Sequence, residues 1–367
     1  MNKVLKGDAL TVLKTLPSES INCTVTSPPY WGLRDYGTKP IIWDGNPDCK
    51  HEWITERTAR PNSSGGLGHM QDGNKGSFTA DYYNRATYSN FCKKCGAWKG
   101  SLGLEPTFEL YIKHLCDIFD ETQRVLRKDG TLWVNLGDSY STVSGSMGKG
   151  KWEQPKYKSC DSQMPEKIKT ELPSKSLTLI PFRFAIEMVN RGWILRNVII
   201  WHKPNCMPSS AKDRFTVDFE YLFFFVKNKK YWFEQQFEPH TTLDDLTRRT
   251  NKYWSDDIAD GGTGKQNKGR DRREFYGQQG RNKRTVWTIP TKPYPEAHFA
   301  VYPAELIRTC IKAGCPKGGV VLDPFAGSGT TLEEAIRQGK DYIGIELKDD
   351  YIDLIEKRLS KVQVSLI

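Results

Sequence analysis

From Val320 to Glu346 the chain reads Val-Val-Leu, then Asp323-Pro324-Phe325-Ala326-Gly327-Ser328-Gly329-Thr330-Thr331, then a helical stretch from Leu332 to Arg337 and a strand from Asp341 to Ile345. An apolar tripeptide running into a Gly-rich turn predicts a buried strand that hands over to a helix. A strand that returns through a helix lies parallel to its predecessor, so this unit demands an open α/β sheet. Ligands in such sheets sit beyond the carboxyl ends of the strands, near the topological switch point. The glycines let backbone approach a ligand closely, and the helix N-terminus after them favours a carboxylate or phosphate. The turn lacks the Lys that a triphosphate-binding loop places before Ser/Thr. Glu346 ends the next strand some 20 residues on, where an acid accepts hydrogen bonds from both hydroxyls of a ribose.

The remaining elements extend the same pattern. Lys3 to Leu5 and Ile21 to Thr26 read as strands around a helix from Ala9 to Leu16. Thr107 to Leu126 carries Phe108, Tyr111, Ile112, Leu115, Ile118, Phe119 and Val125 at helical spacing, before a turn at Lys128-Asp129-Gly130 and a strand from Thr131 to Leu136. A helix from Pro181 to Arg191, strands from Trp193 to Trp201 and from Tyr221 to Val226, and a helix from Ala304 to Ala313 complete the sheet and its cover. Three segments break the α/β rhythm: a polar Gly/Asn-rich stretch at 40–103, a Gly/Ser/Lys-rich loop at 141–175, and 236–285. The expected division is 1–39, an insertion at 40–103, 104–235, a separate region at 236–285, and 286–367.

In 367 residues no apolar run approaches the roughly 20 needed to span a bilayer, and the mean hydropathy is −0.61, so a membrane role is excluded. The N-terminus lacks the apolar core of a signal peptide, which predicts a cytoplasmic protein. Lys and Arg number 54 against 44 Asp and Glu, a net charge of +10 that suits a polyanionic partner. Residues 247–285 concentrate that charge, with eleven Lys/Arg against five Asp/Glu and Tyr253, Trp254, Phe275 and Tyr276 interleaved. A charge run taken alone is most often a solvated loop.

Nine cysteines at irregular spacing predict reduced thiols rather than a disulfide framework. Cys49-x-His51 and Cys92-x-x-Cys95 supply four ligands suited to tetrahedral zinc at the base of the 40–103 insertion. A Cys-x-x-Cys pair also serves redox chemistry, and a metal is the reading that orders the polar insertion. Cys23, Cys116, Cys160, Cys206, Cys310 and Cys315 read as core or incidental thiols.

The strand Ile21 to Thr26 runs into Ser27-Pro28-Pro29-Tyr30-Trp31-Gly32. Two prolines remove two amide donors and leave carbonyl acceptors without local competition. A planar exocyclic amine becomes nucleophilic as its hydrogens are held and its nitrogen turns tetrahedral, which the Ser27 hydroxyl and Pro28 carbonyl can promote while Tyr30 offers a stacking face. An isolated Pro-Pro is more often an ordinary turn.

Together, TSPPYWG and the downstream VVLDPFAGSGTT and YIGIEL resemble the beta class of amino-methylating DNA methyltransferases, with LKGDAL, VLRKDGTLWVNLGDSY, IIWHKPN, YLFFFVK and HFAVYPAEL matching in order. The resemblance implies a Rossmann-like S-adenosylmethionine-dependent methyltransferase fold, a circularly permuted, mostly parallel seven-stranded sheet with the target recognition region at 236–285. It implies a catalytic motif of Ser27, Pro28, Pro29 and Tyr30. Thr26, Asp323, Pro324, Phe325, Gly327, Ser328, Gly329 and Thr330 surround the cofactor, Glu346 holds its ribose and Asp8 lies near its adenine amine. His298, Ala300, Tyr302 and Pro303 pack on its methionine end. The implied reaction is direct displacement on a base flipped from double-stranded DNA; none of the cysteines follows a proline, as a carbon-5 nucleophile does. Ser before Pro-Pro-Tyr points to cytosine N4, with adenine N6 on the same fold, or a catalytically idle zinc-containing nucleic-acid-binding protein, as alternatives. The setting is a bacterial or phage restriction-modification system, with room for a cognate endonuclease, and a monomer or homodimer.

Overall fold

A computed structural model describes residues 2–54, 90–141, 172–239, 280–291 and 302–362. Most of the 141–175 loop, Cys160, residues 240–279 of the 236–285 region, His298 and Ala300 lie outside the described residues.

Asp8 opens the first layer by accepting the Thr11 amide at 3.0 Å as N-cap of α1 (Ala9–Thr15), between β1 (Lys3–Lys6) and β2 (Ile21–Thr26). Thr107 caps α2 (Phe108–Val125) in the same way, through the Leu110 amide at 3.2 Å. One face of α2, including Tyr111, Leu115, Ile118 and Phe119, is buried, as the spacing predicts. The chain continues into β5 (Leu126–Leu136) after β3 (Ile41–Trp43) and β4 (Trp98–Gly100), then into α3 (Ile180–Asn190), β6 (Ile194–His202) and β7 (Phe219–Val226). Short strands β8 (Phe237–Glu238), β9 (Arg281–Asn282) and β10 (Val286–Thr288) precede α4 (Ala304–Gly314), β11 (Val320–Asp323), α5 (Thr330–Arg337), β12 (Asp341–Glu346) and α6 (Asp349–Leu359).

The main sheet runs β1-β12-β11-β2-β5-β7-β6-β10, and only β7 is antiparallel to its neighbours. The seven expected strands are present, and β10 adds an eighth by pairing Trp287 with Trp201 beside β6. Strand β5 begins earlier than expected, at Leu126, because Leu126 pairs with Ile21 while Thr131 pairs with Cys23. The expected turn at Lys128-Asp129-Gly130 survives as the excursion between those two pairs.

Helices α1, α2 and α3 cover one face and α4, α5 and α6 the other, each over its own apolar cluster. Burial on both faces explains the unbroken buried run Thr131 to Leu136, where Trp133 stacks on Phe224 of the paired strand at 4.0 Å. The N-terminal β1 lies beside the C-terminal β12, and β11 beside β2 with Leu322 opposite Thr24. That adjacency sets the ends of β2 and β11, nearly 300 residues apart in sequence, side by side. The ends of the 236–285 stretch also meet: β8 and β9 pair antiparallel, and Glu238 accepts from Arg281 and Arg284.

Candidate functional site

Asp323, the last residue of β11, is fully buried and its carboxylate joins the two halves of the chain. Oδ1 accepts from the Thr26 hydroxyl at 2.6 Å and the Phe325 amide at 3.0 Å; Oδ2 accepts from the Thr331 hydroxyl at 2.6 Å and Tyr302 at 3.1 Å. Burial lifts its pKa above the ordinary carboxylate range, against the pull of those donors. The turn that follows is shaped by Gly327 and Gly329, at φ +51° and +79°. A side chain at Gly329 would press on Ile355 of α6 at 3.1 Å, so glycine serves both conformation and packing there. Arg358 of α6 braces the turn through the Ser328 carbonyl and hydroxyl and the Thr330 hydroxyl, at 3.0–3.2 Å.

Glu346 closes the floor. Its carboxylate accepts from the amides of Gly327, Leu347 and Lys348, all at 2.9 Å, and burial raises its pKa. Gly7 donates its amide to the Glu346 carbonyl at 3.0 Å, which brings Asp8 beside it.

The Ser27-Pro28-Pro29-Tyr30 loop leaves the end of β2 on the other side. Tyr30 donates toward Glu220 of β7 at 2.8 Å and lies 3.1 Å from Asn135 Oδ1, while Ser27 Oγ stands 3.5 Å from the same phenol oxygen. Lys203 pairs with the other Glu220 oxygen and sits over the Trp201 ring at 4.4 Å. Burial, then the Glu220 charge, pushes the Tyr30 pKa well up, so the phenol keeps its proton. A side chain on Gly137 would collide with the Tyr30 ring at 2.6 Å, so glycine fixes how closely β5 approaches the ring. The Pro29 carbonyl accepts from Tyr111 of α2 at 2.8 Å.

A single cavity of about 700 Å3 is lined by Asp8, Ser27, Pro28, Pro29, Tyr30, Tyr302, Pro324, Phe325, Gly327, Ser328, Thr330 and Glu346. The structure thus brings both sequence motifs to one cleft. Thr26 and Asp323 stand behind its wall as the tie between β2 and β11, Gly329 caps α5, and Pro303 is buried at the start of α4. Sequence reasoning missed Asn135, Lys203 and Glu220, which also line the cleft. Each is a polar residue at, or just past, the cleft-side end of an apolar strand, and that was the available signal.

Cys49, His51, Cys92 and Cys95 meet at the insertion base with their four ligand atoms within 4.8 Å of one another. Cys49 and Cys92 sulfurs are 3.9 Å apart, far beyond a disulfide bond, and Cys95 Sγ is 3.4 Å from His51 Nδ1. Tetrahedral zinc with bonds of about 2.3 Å to sulfur and about 2.05 Å to nitrogen separates its ligands by roughly 3.8 Å (S to S) and 3.5 Å (S to N). The donor set therefore fits zinc. Burial opposes ionisation of Cys92, but the Cys95 amide, His51 and the Glu52 and Lys94 amides hold its thiol down to about 5. Burial and the neighbouring thiols push Cys49 up to about 11. Metal analysis of purified protein is expected to find about one zinc per chain, lost in a Cys92→Ser, Cys95→Ser variant; less than half an equivalent would refute the site.

The two-sided α/β sheet, with a Gly-rich turn and an acid-ended strand facing one cleft, has the Rossmann-like architecture that binds a nucleoside-containing ligand. Residues 21–357 match the DNA methylase family of N6 and N4 enzymes. The type II methyltransferase M.Cfr9I of Citrobacter freundii is 33% identical over 99% of this chain and 89% of its own length. M.SmaI of Serratia marcescens, also a type II methyltransferase, is 33% identical over 97% and 90%. The solved PvuII DNA methyltransferase, described as cytosine-N4-specific, shares the fold with a TM-score of 0.53 at 16% identity, over 100% of this chain and 88% of that one. The chain belongs to the N6/N4 DNA methylase family: it is an S-adenosylmethionine-dependent DNA amino-methyltransferase. Among the described residues no helix is long and apolar enough to cross a membrane.

Proposed function

We propose that this enzyme methylates the exocyclic N4 amine of cytosine in double-stranded DNA, at a site read by residues 236–285. The observation that carries the base assignment is Ser27. At the position where a carboxamide or carboxylate would suit adenine in this family, a hydroxyl faces the cleft beside the Pro-Pro turn.

S-adenosylmethionine, when bound, supplies a methyl group on a sulfonium centre. The chain's own residues do the rest by positioning, which can account for most of the barrier lowering in a reaction that needs no covalent intermediate. Ser27 Oγ and the Pro28 carbonyl hold the amine hydrogens and tilt the nitrogen out of the ring plane. Tyr30, locked by Glu220, Asn135 and the close approach of Gly137, is a fixed stacking platform for the flipped base. Glu346 takes the ribose hydroxyls and Asp8 the adenine end. Lys and Arg of 247–285 neutralise phosphates, while Arg, Asn and Gln there read base edges. A cognate endonuclease as partner, and a monomer or homodimer in a bacterial or phage cytoplasm, complete the reading.

Unmethylated genomic DNA incubated with enzyme and cofactor, digested and analysed by mass spectrometry, is expected to yield N4-methylcytosine. N6-methyladenine would overturn the base assignment, and neither product despite cofactor binding would overturn the enzymatic reading. Glu346→Ala is expected to weaken cofactor binding by about 10- to 100-fold in calorimetry, the scale of lost hydrogen bonds to a charged group. Unchanged affinity would refute the ribose placement.

A further inference from the structure

The Cys/His cluster and the Pro-Pro loop belong to different parts of the sequence, yet an unbroken series of short contacts joins them. The Cys92 amide bonds the Ala97 carbonyl at 2.7 Å, and Phe91 bridges Trp98 at the start of β4. Trp98 and Trp43, paired across β4 and β3, stack parallel to the His114 ring of α2, with centroids 5.7 and 4.4 Å away. His114 is fully buried; its Nε2 lies 3.2 Å from Asp44 Oδ2 and its Nδ1 3.1 Å from Glu105 Oε1. Glu105, equally buried, accepts the Gly103 amide at 2.7 Å through its other oxygen, and its backbone carbonyl accepts the Trp31 indole N–H at 2.9 Å. Gly103 in turn takes the Gly32 amide at 2.8 Å, and a side chain there would press on Pro29 and Tyr30 at 3.3 Å. The Pro-Pro loop is therefore held at Trp31 and Gly32 by Glu105 and Gly103, which follow β4 closely in the chain, and Glu105 bonds to His114 beneath the β3-β4 sheet.

A buried carboxylate and a buried imidazole are costly unless each finds its partners. Apolar residues would fill the space between α2 and β3-β4 at lower risk. What they could not supply is a side-chain acceptor aimed at the Gly103 amide and held in turn by His114.

We infer that the zinc-holding cluster is a latch for the catalytic loop: it fixes the β3-β4 sheet, which through His114 and Glu105 holds Pro29 to Gly32 in the geometry the target amine needs. Glu105 and His114 are positioning residues, acting on the reaction through the loop. The inference rests on zinc occupying the four ligands; its loop readout does not depend on which base is methylated.

The test uses the full-length zinc-loaded enzyme. Chelation is expected to speed amide hydrogen exchange in residues 27–34 at least tenfold, leave the peptide spanning 320–331 within twofold, and lower kcat about tenfold while cofactor affinity by calorimetry stays within twofold. Zinc re-addition restores both. Glu105→Ala reproduces the same split with zinc still bound, Glu105→Gln recovers most of it, and chelating the Glu105→Ala variant adds less than twofold, because both act through one connection. Should Glu105→Ala not fold, His114→Gln and the exchange measurement on the unaltered enzyme carry the test. Chelation that leaves 27–34 protected, an exchange increase spread equally over 320–331, or losses that multiply in the chelated variant would each overturn the latch. If the enzyme forms no methylated base at all, the exchange data still decide it, so its failure is separable from that of the proposed activity.

Discussion

Replacing Ser27 by Ala is expected to lower kcat by about 100- to 1,000-fold while changing cofactor affinity less than twofold. The structural cost is small. Ser27 is half-buried, and the contact of its hydroxyl with the Tyr30 phenol, at 3.5 Å, is at the limit of a hydrogen bond. Tyr30 keeps Glu220 and Asn135 when Ser27 loses its oxygen, so the platform stays in place. What disappears is the acceptor that holds one amine hydrogen as nitrogen leaves the ring plane. Single-turnover methylation of an oligonucleotide duplex, with calorimetry for the cofactor, separates the two effects. Turnover within about threefold of the unaltered enzyme would remove Ser27 from the reaction, and a matching fall in cofactor affinity would make it a binding residue instead.

The parts of the molecule legible in sequence are those fixed by local chemistry. Val320 to Leu322 and, but for Thr131 and Asn135, Thr131 to Leu136 are apolar runs because they lie between two helical layers, and the turn at Gly327 and Gly329 announces itself by residue type. The α2 stripe was equally readable. The rest depends on partners far away in the chain. Asp323 reads as a member of the cofactor turn, yet its carboxylate is spent on Thr26, 297 residues earlier, and on Thr331 and Tyr302, so it shapes the cleft from behind. Glu220 near the start of β7 and Lys203 just past the end of β6 border strands whose apolar pattern draws attention away from their ends, and the meeting of Glu220 with both Tyr30 and Lys203 follows from the antiparallel placement of β7 between β5 and β6. His114 looks like one polar residue on an amphipathic helix until Trp43 and Trp98 close over it. The β5 excursion and the eighth strand are matters of register that side-chain type does not encode.

Asp323→Ala and Asp323→Asn are expected to part company. Alanine removes the acceptor of three hydroxyls and one amide at the seam between β2 and β11. Each donor left without a partner in a buried setting costs about 1–3 kcal/mol, and allowing for mutual compensation the variant should lose about 3 kcal/mol or more of stability, with cofactor binding abolished as the turn loses its anchor. Asparagine keeps Oδ1 for Thr26 and Phe325, and its amide can donate to the Tyr302 and Thr331 hydroxyls, whose protons turn to suit. Its loss should stay under about 1.5 kcal/mol. The pH dependence separates charge from geometry. Because burial holds the folded-state pKa of Asp323 above its unfolded value, the stability it contributes is full below the ordinary carboxylate range and is lost as pH rises through the folded value. Asparagine carries no such charge, so denaturant unfolding across that range should show less decline with rising pH than in the unaltered protein. An alanine variant within 1 kcal/mol of the unaltered protein, by the same yardstick of one net hydrogen bond, would show that the seam holds without Asp323. An asparagine variant as damaged as alanine would show that the negative charge itself holds β2 to β11.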